Sequence, residues 1–215
     1  CMHTTLIGRC ANDDAGNTVK KLCLSYHINL VAFEAEKTTI KQRICIDSQQ
    51  VSRLDSNAYT ETVKNELQSV LLSQEVDIVI IADYLYGVIS QEVLNIVSSF
   101  CERKGIYFFY TSRNLNRFEI SDYPIVVANM NEWNQWKRSS GYKKAFITKG
   151  KEGICCKLGT EIVEKKANVK YPINVSGAGD TVLAMISILY GEEGISIEDI
   201  LLVGNLAGEL AVENE

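Results

Sequence analysis

Apolar positions along this chain switch between two periods, and the switches mark out its elements. Residues 76–82 (VDIVIIA), 106–110, 124–128 and 145–148 are short, nearly continuous and rich in β-branched or aromatic side chains. Strands covered on both faces have this pattern. Between and around them the spacing turns helical. Asp13 or Asp14 is placed to cap a helix carrying Val19, Leu22 and Cys23, and residues 60–72 set Val63, Leu67, Val70 and Leu71 on one face. A helix over 90–104 closes at Gly105, a helical stretch holds Trp133 and Trp136, and a last helix covers 197–212. Residues 3–7 and 30–33 read as further strands, and Gly150 and Gly153 mark a turn before the strands 154–157 and 161–163. Strands alternating with helices predict an α/β fold with a largely parallel sheet. Ligands bind such sheets beyond the carboxyl ends of the strands. The loops at Asp83, 111–113, 129–132 and 150–153 are therefore expected to face one site.

Residues 38–55 depart from this pattern. IKQRICID and QVSRL read as two polar strands joined by a turn, a flap or edge hairpin rather than core. Its Lys41, Arg43, Gln50 and Arg53 are polar enough to meet a ligand, although a solvated edge would show the same residues.

Composition adds bounds rather than identity. A chain of 215 residues is read as one domain over 1–215, and a net charge of −5 is a poor match to nucleic acid. Seven cysteines, an odd number that includes the neighbours Cys155 and Cys156, argue for reduced thiols and a cytoplasmic location. Two histidines leave few zinc ligands. No apolar run reaches the roughly 18 residues of a membrane span, so no membrane partner is expected.

The chemically distinctive stretch is 174–188, NVSGAGDTVLAMISI. Small residues run into an apolar helical pattern, the form of a glycine-rich loop opening a buried helix. The first-turn N–H groups of a helix lack internal partners, and glycines let an anion approach them. A Walker loop would end Gly-Lys-Ser/Thr where this chain has Gly179-Asp180-Thr181. A dinucleotide fingerprint would place a glycine at Val182 and sit on the first strand–helix turn. Neither fits. From the residues alone, Asp180 is either a first-turn acid complementing the helix dipole or a group that takes a proton beside a transferring phosphoryl.

The run Asn174-Val175-Ser176-Gly177-Ala178-Gly179-Asp180 resembles the signature D-T/V-x-G-A-G-D of the ribokinase-like (PfkB) carbohydrate kinases, agreeing everywhere but its first position. Leu6-Ile7-Gly8 with Asp13-Asp14-Ala15-Gly16 is similar to that family's early segment. Asn129-Met130-Asn131-Glu132 resembles its Asn-x-x-Glu motif, and Thr148-Lys149-Gly150-Lys151-Glu152-Gly153 its nucleotide loop. Within the family, Lys41-Gln42-Arg43, the run Gln49-Gln50-Val51-Ser52-Arg53-Leu54-Asp55, and Asp83-Tyr84 with Gly87 look like the D-glycero-β-D-manno-heptose-7-phosphate kinases.

The resemblance implies a three-layer α/β sandwich with a mostly parallel sheet and a small β-hairpin lid at about 38–55. It also implies that an N-terminal part, with a Gly-Gly sugar-binding segment, belongs before Cys1. It implies ATP and Mg²⁺, with Asp180 as the base and Gly177, Ala178 and Gly179 stabilising charge through their N–H groups. Asn129 and Glu132 would hold a hydrated Mg²⁺. Asn129, Met130, Asn131, Glu132, Thr148, Lys149, Gly150 and Gly153 would meet the nucleotide, with Asn205 near the adenine. Lys41, Arg43, Gln50, Arg53 and Asp83 would meet a sugar phosphate, and a homodimer would form through the hairpin. The implied reaction phosphorylates the anomeric hydroxyl of the heptose on the route to ADP-heptose and lipopolysaccharide. Asn174, Tyr86 and Thr111-Ser112-Arg113 depart from the family's residues at their positions. They leave another sugar kinase, or a non-catalytic nucleotide-binding homologue, as alternatives.

Overall fold

The computed structural model describes residues 3–46, 49–56, 64–73, 75–167 and 177–213. The chain divides into two compact units, Cys1–Ser73 with Leu85–Val93, and Gln74–Tyr84 with Leu94–Glu215.

In the first unit β1 (Thr5–Cys10) pairs in parallel with β2 (Asn29–Glu34), and α1 (Asp14–Ser25) connects them. Asp13, in extended backbone, fixes the helix start. One carboxylate oxygen accepts the Gly16 N–H at 2.8 Å, and the other accepts the Thr38 N–H at 2.9 Å. The Thr38 hydroxyl in turn accepts the Ala11 N–H at 2.9 Å. Three backbone donors are thereby satisfied by one carboxylate and one hydroxyl. Hydrogen bonds from Thr38 and Gly16 favour the charged form and hold the Asp13 carboxyl at about 2.

The polar segment forms the expected hairpin, β3 (Ile40–Ile46) against β4 (Gln49–Ser56), with a bulge between Ile44 and Cys45. Side chains alternate across a strand. The register, with Lys41 opposite Asp55 and Arg43 opposite Arg53, therefore gives the hairpin one charged face. Ile40, Ile44 and Leu54 share the other face, each at least 40% exposed. The helix expected from Thr60 is described as α2 (Lys64–Ser73), which buries Leu67 and Leu71. Residues 57–63 lie outside the described residues.

The second unit holds a six-stranded sheet built from β5 (Ile78–Asp83), β6 (Tyr107–Ser112), β7 (Ile125–Asn129), β8 (Lys144–Thr148), β9 (Ile154–Leu158) and β10 (Glu161–Lys165). Its order is β10-β9-β8-β7-β6-β5, with β5 to β8 parallel and the last two strands antiparallel. Helices α3 (Gln91–Lys104), α4 (Met130–Gln135), α5 (Ala178–Gly191) and α6 (Ile197–Glu213) accompany the strands. On one face Phe109, Ile125, Val127 and Phe146 pack with Val182, Leu183 and Ile186 of α5 and Ile200 and Leu201 of α6. The alternate positions Phe108, Tyr110, Val126 and Ala145 are at most 1% exposed, so β6, β7 and β8 are covered on both faces, as their apolar runs predict. β5 is not, with Ile80 42% exposed at the sheet edge. Burying one such large side chain contributes about 1.5–3 kcal/mol over leaving it in water. α3 buries Leu94, Val97, Phe100 and Cys101 and ends at Gly105, whose φ of +68° a side chain would strain.

Parallel pairing has a direct consequence for function. The last residues of β5, β6, β7 and β8 are Asp83, Ser112, Asn129 and Thr148, and all four come to the same end of the sheet.

Candidate active site

These four strand ends line one cavity of about 140 Å³, closed by Gly179, Asp180 and Leu183 of α5 and flanked by Tyr84, Arg113 and Glu132. Complete ligand pockets usually occupy roughly 300–1,000 Å³. Among the described residues the cavity is smaller than that.

The start of α5 has two unusual properties. Gly177, its N-cap, sits at φ +86° and ψ −11° and has no side chain with which to cap the helix. Cβ atoms built at Gly177 and Gly179 would meet nothing within 4 Å among the described residues. Such an end favours negative charge. Asp180 stands exposed in that first turn, and one of its carboxylate oxygens accepts a hydrogen bond from the Tyr84 hydroxyl. The Arg113 guanidinium lies 5.3 Å from the centre of the Tyr84 ring, a contact worth about 0.5–1 kcal/mol at an exposed site.

Asp83 is 3% exposed and accepts a 3.1 Å hydrogen bond from the Ser112 hydroxyl, which itself accepts the Asn114 N–H at 3.2 Å. Asn129 and Glu132 form a reciprocal capping box at the start of α4. The Asn129 side chain accepts the Glu132 N–H, and Glu132 accepts the Asn129 N–H, each at 2.9 Å. Burial raises the Glu132 carboxyl above its ordinary value, while the Asn129 N–H and the Arg113 charge oppose that shift. The cap engages one Glu132 carboxylate oxygen and leaves the second. Among the described residues no three His, Cys, Asp or Glu side chains form a cage for a metal. Asn129, Glu132, Asp83 and Asp180 are instead hard oxygen donors around one cavity. They fit a largely hydrated Mg²⁺ that keeps its waters and takes further oxygens from phosphate.

Other expected site residues are not among those lining this cavity. Met130 and Asn131 lie in the first turn of α4 and do not line the cavity. Lys149 is paired with Glu164 at 2.6 Å. Their hydrogen bond raises the lysine and lowers the acid. Gly150 opens a 3-10 turn, Gly150–Glu152, which Gly153 closes at φ +95°. A Cβ on Gly153 would fall 2.0 Å from the Lys165 carbonyl oxygen, the same oxygen that accepts the Asn205 side-chain N–H at 3.0 Å. Asn205 is 6% exposed, is bonded to β10 and is not a lining residue of this cavity. Lys41, Arg43 and Arg53 lie in the first unit, where Arg53 pairs with Asp55 at 2.9 Å. The side chain of Gln50, and Asn174-Val175-Ser176 before the α5 loop, lie outside the described residues. Tyr84 is the contributor that residue patterns did not single out for a role. Its bond to Asp180 crosses 96 positions, and the Asp83-Tyr84 motif gives it no role.

The description pfkB family carbohydrate kinase matches residues 2–215. The chain is 27% identical to the bifunctional protein HldE of Sulfurimonas denitrificans, over 95% of the chain and 48% of that protein. It is 23% identical to the D-beta-D-heptose 7-phosphate kinase of Bordetella bronchiseptica, over 98% of the chain and 73% of that protein. The chain thus spans about half the length of the HldE relatives it matches. Among solved structures, a phosphofructokinase-2 mutant from Escherichia coli is similar at TM-score 0.77 and 16% identity, over 98% of the chain and 77% of that protein. Ribokinase from Thermotoga maritima is similar at TM-score 0.75 and 15% identity, over 98% and 75%. At such identities these two establish the ribokinase-like α/β fold that the sequence motifs predict. With the family description covering all but the first residue, the chain belongs to the pfkB family of carbohydrate kinases.

Proposed function

We propose that this protein transfers the terminal phosphoryl group of Mg-ATP to a sugar hydroxyl, with Asp180 as the base. The observation that carries the reading is the Asp180 carboxylate in the first turn of a helix that starts at Gly177, at the end of four parallel strands. Asp180 accepts the acceptor's hydroxyl proton as the acceptor oxygen bonds to phosphorus and the bond to the leaving ADP oxygen breaks. The N–H groups of Gly177, Ala178 and Gly179 stabilise the charge spread over the transferring oxygens. Mg²⁺, when bound, neutralises phosphate charge, and Asn129 and Glu132 are the residues proposed to hold its waters. Thr148, Lys149, Gly150 and Gly153 are proposed to run along the nucleotide, and the location is proposed to be cytoplasmic.

For the acceptor we propose D-glycero-β-D-manno-heptose 7-phosphate at its anomeric hydroxyl, supplying ADP-heptose for lipopolysaccharide. The names of the HldE and heptose 7-phosphate kinase relatives support this choice. So does the hairpin, whose Lys41, Arg43 and Arg53 share one face. Two arginines directly opposite repel one another, and a phosphate dianion between them would turn that cost into paired hydrogen bonds. The apolar face of Ile40, Ile44 and Leu54 supports a homodimer through the same hairpin. The departures from the family's residues at Asn174, Tyr86 and Thr111-Ser112-Arg113 favour a second reading, a non-catalytic homologue that binds nucleotide. ADP release from Mg-ATP separates them, measured with the heptose 7-phosphate, fructose 6-phosphate, ribose and adenosine. Turnover is expected with the heptose. Turnover with another acceptor alone would move the protein within the family, and nucleotide binding without any turnover would favour the second reading.

A further inference from the structure

We infer that Tyr84 is a positioning residue for Asp180. Its hydroxyl holds one carboxylate oxygen so that the other is presented to the acceptor. The inference rests on the reading of Asp180 as the base. A carboxylate in the exposed first turn of a helix is otherwise able to turn through several rotamers. The hydrogen bond from Tyr84 removes that freedom and leaves one oxygen for the proton. The base is thus oriented by a third group, the arrangement that activated nucleophiles generally require.

The tyrosine is itself held. The Arg113 guanidinium lies 5.3 Å from its ring centre, and the preceding Asp83 is buried and bonded to Ser112. Positioning therefore runs from the ends of β5 and β6, through Tyr84, to the start of α5. In the transfer step the acceptor's proton moves to the free Asp180 oxygen. The acceptor oxygen bonds to phosphorus, and the leaving oxygen departs on ADP with the electron pair. Tyr84 keeps its own proton throughout, because it donates to a group that becomes less negative and exchanges nothing.

The test is Tyr84→Phe in the full-length protein, which removes the hydroxyl and keeps the ring. With Mg-ATP and the best acceptor from the panel above, kcat is expected to fall about 10- to 100-fold, the cost of misplacing a reacting group. The KM for ATP and the thermal midpoint are expected to stay at their wild-type values. Placed on Asp180→Asn, the same change is expected to cost nothing further, because both act on one interaction. An unchanged or raised kcat in Tyr84→Phe would overturn the proposal, the raised value showing that the hydroxyl stands where the acceptor should. A lowered midpoint, or an equal fractional loss in both backgrounds, would overturn it as well by assigning Tyr84 a purely structural role. If Asp180→Asn alone turns over like wild type, the base reading fails and this inference with it. If Asp180→Asn is impaired and Tyr84→Phe is silent, only Tyr84 is misassigned.

Discussion

The starts of α1 and α5 are assembled from similar parts, an acid and a glycine among small residues leading into a helix, and they end in opposite states. At α1 both oxygens of Asp13 are engaged by backbone N–H groups, and a Thr38 hydroxyl closes the knot. At α5 the N-cap is a glycine with no side chain to offer, and among the described residues Asp180 faces a cavity with one hydrogen bond, from Tyr84. The first arrangement engages both carboxylate oxygens on backbone donors of its own unit. The second leaves one carboxylate oxygen without a bond among the described residues. Residue types do not separate a structural cap from a chemical site. What the neighbouring N–H groups are bonded to does.

The two glycines sharpen this contrast most strongly. A Cβ on Gly16 would stand 2.0 Å from the Ala11 carbonyl oxygen, whereas one on Gly177 would meet nothing within 4 Å. Gly16→Ala is expected to destabilise the fold by about 2–3 kcal/mol through overpacking. Gly177→Ala carries only the strain of φ +86°, about 1–2 kcal/mol. Denaturant midpoints of the two variants check the order. Equal losses would mean that the α5 loop is as tightly built as the α1 knot.

A smaller effect comes from acid. The Asp13 carboxyl is held at about 2, below its ordinary 3.8. Its stabilisation is full above the unfolded value and is lost as pH falls from about 3.8 through about 2. Asp13→Asn is therefore expected to flatten the acid limb of stability across that window and to lower stability above it. A wild-type acid limb that Asp13→Asn leaves unaltered would contradict the role of the knot.

Much of this site was legible in the residues because parallel sheets gather their strand ends. The apolar runs ending at Ala82, Tyr110, Ala128 and Thr148 read as strands, within two residues of the observed ends, and their loops are expected to meet. The Gly177–Asp180 loop was readable because its glycines and acid are consecutive. Asn129 and Glu132 were readable as a pair but not as a state, since three-residue spacing serves a helix cap and a metal site equally. Asn205 bonds the Lys165 carbonyl oxygen, a contact across 40 positions that no local pattern reveals. Tyr84 depends on a contact between distant segments, and only folding brings its hydroxyl to Asp180.

The central claim is that the α5 loop is chemical and the α1 knot structural, and one variant tests it most directly. Asp180→Asn, assayed for ADP release with Mg-ATP and the acceptor that the wild type uses, is expected to lose about 10²–10⁴ in kcat, the range of a general base. ATP binding and the thermal midpoint are expected to be retained. Wild-type turnover in Asp180→Asn, or a loss of turnover fully accounted for by unfolding, would contradict the account.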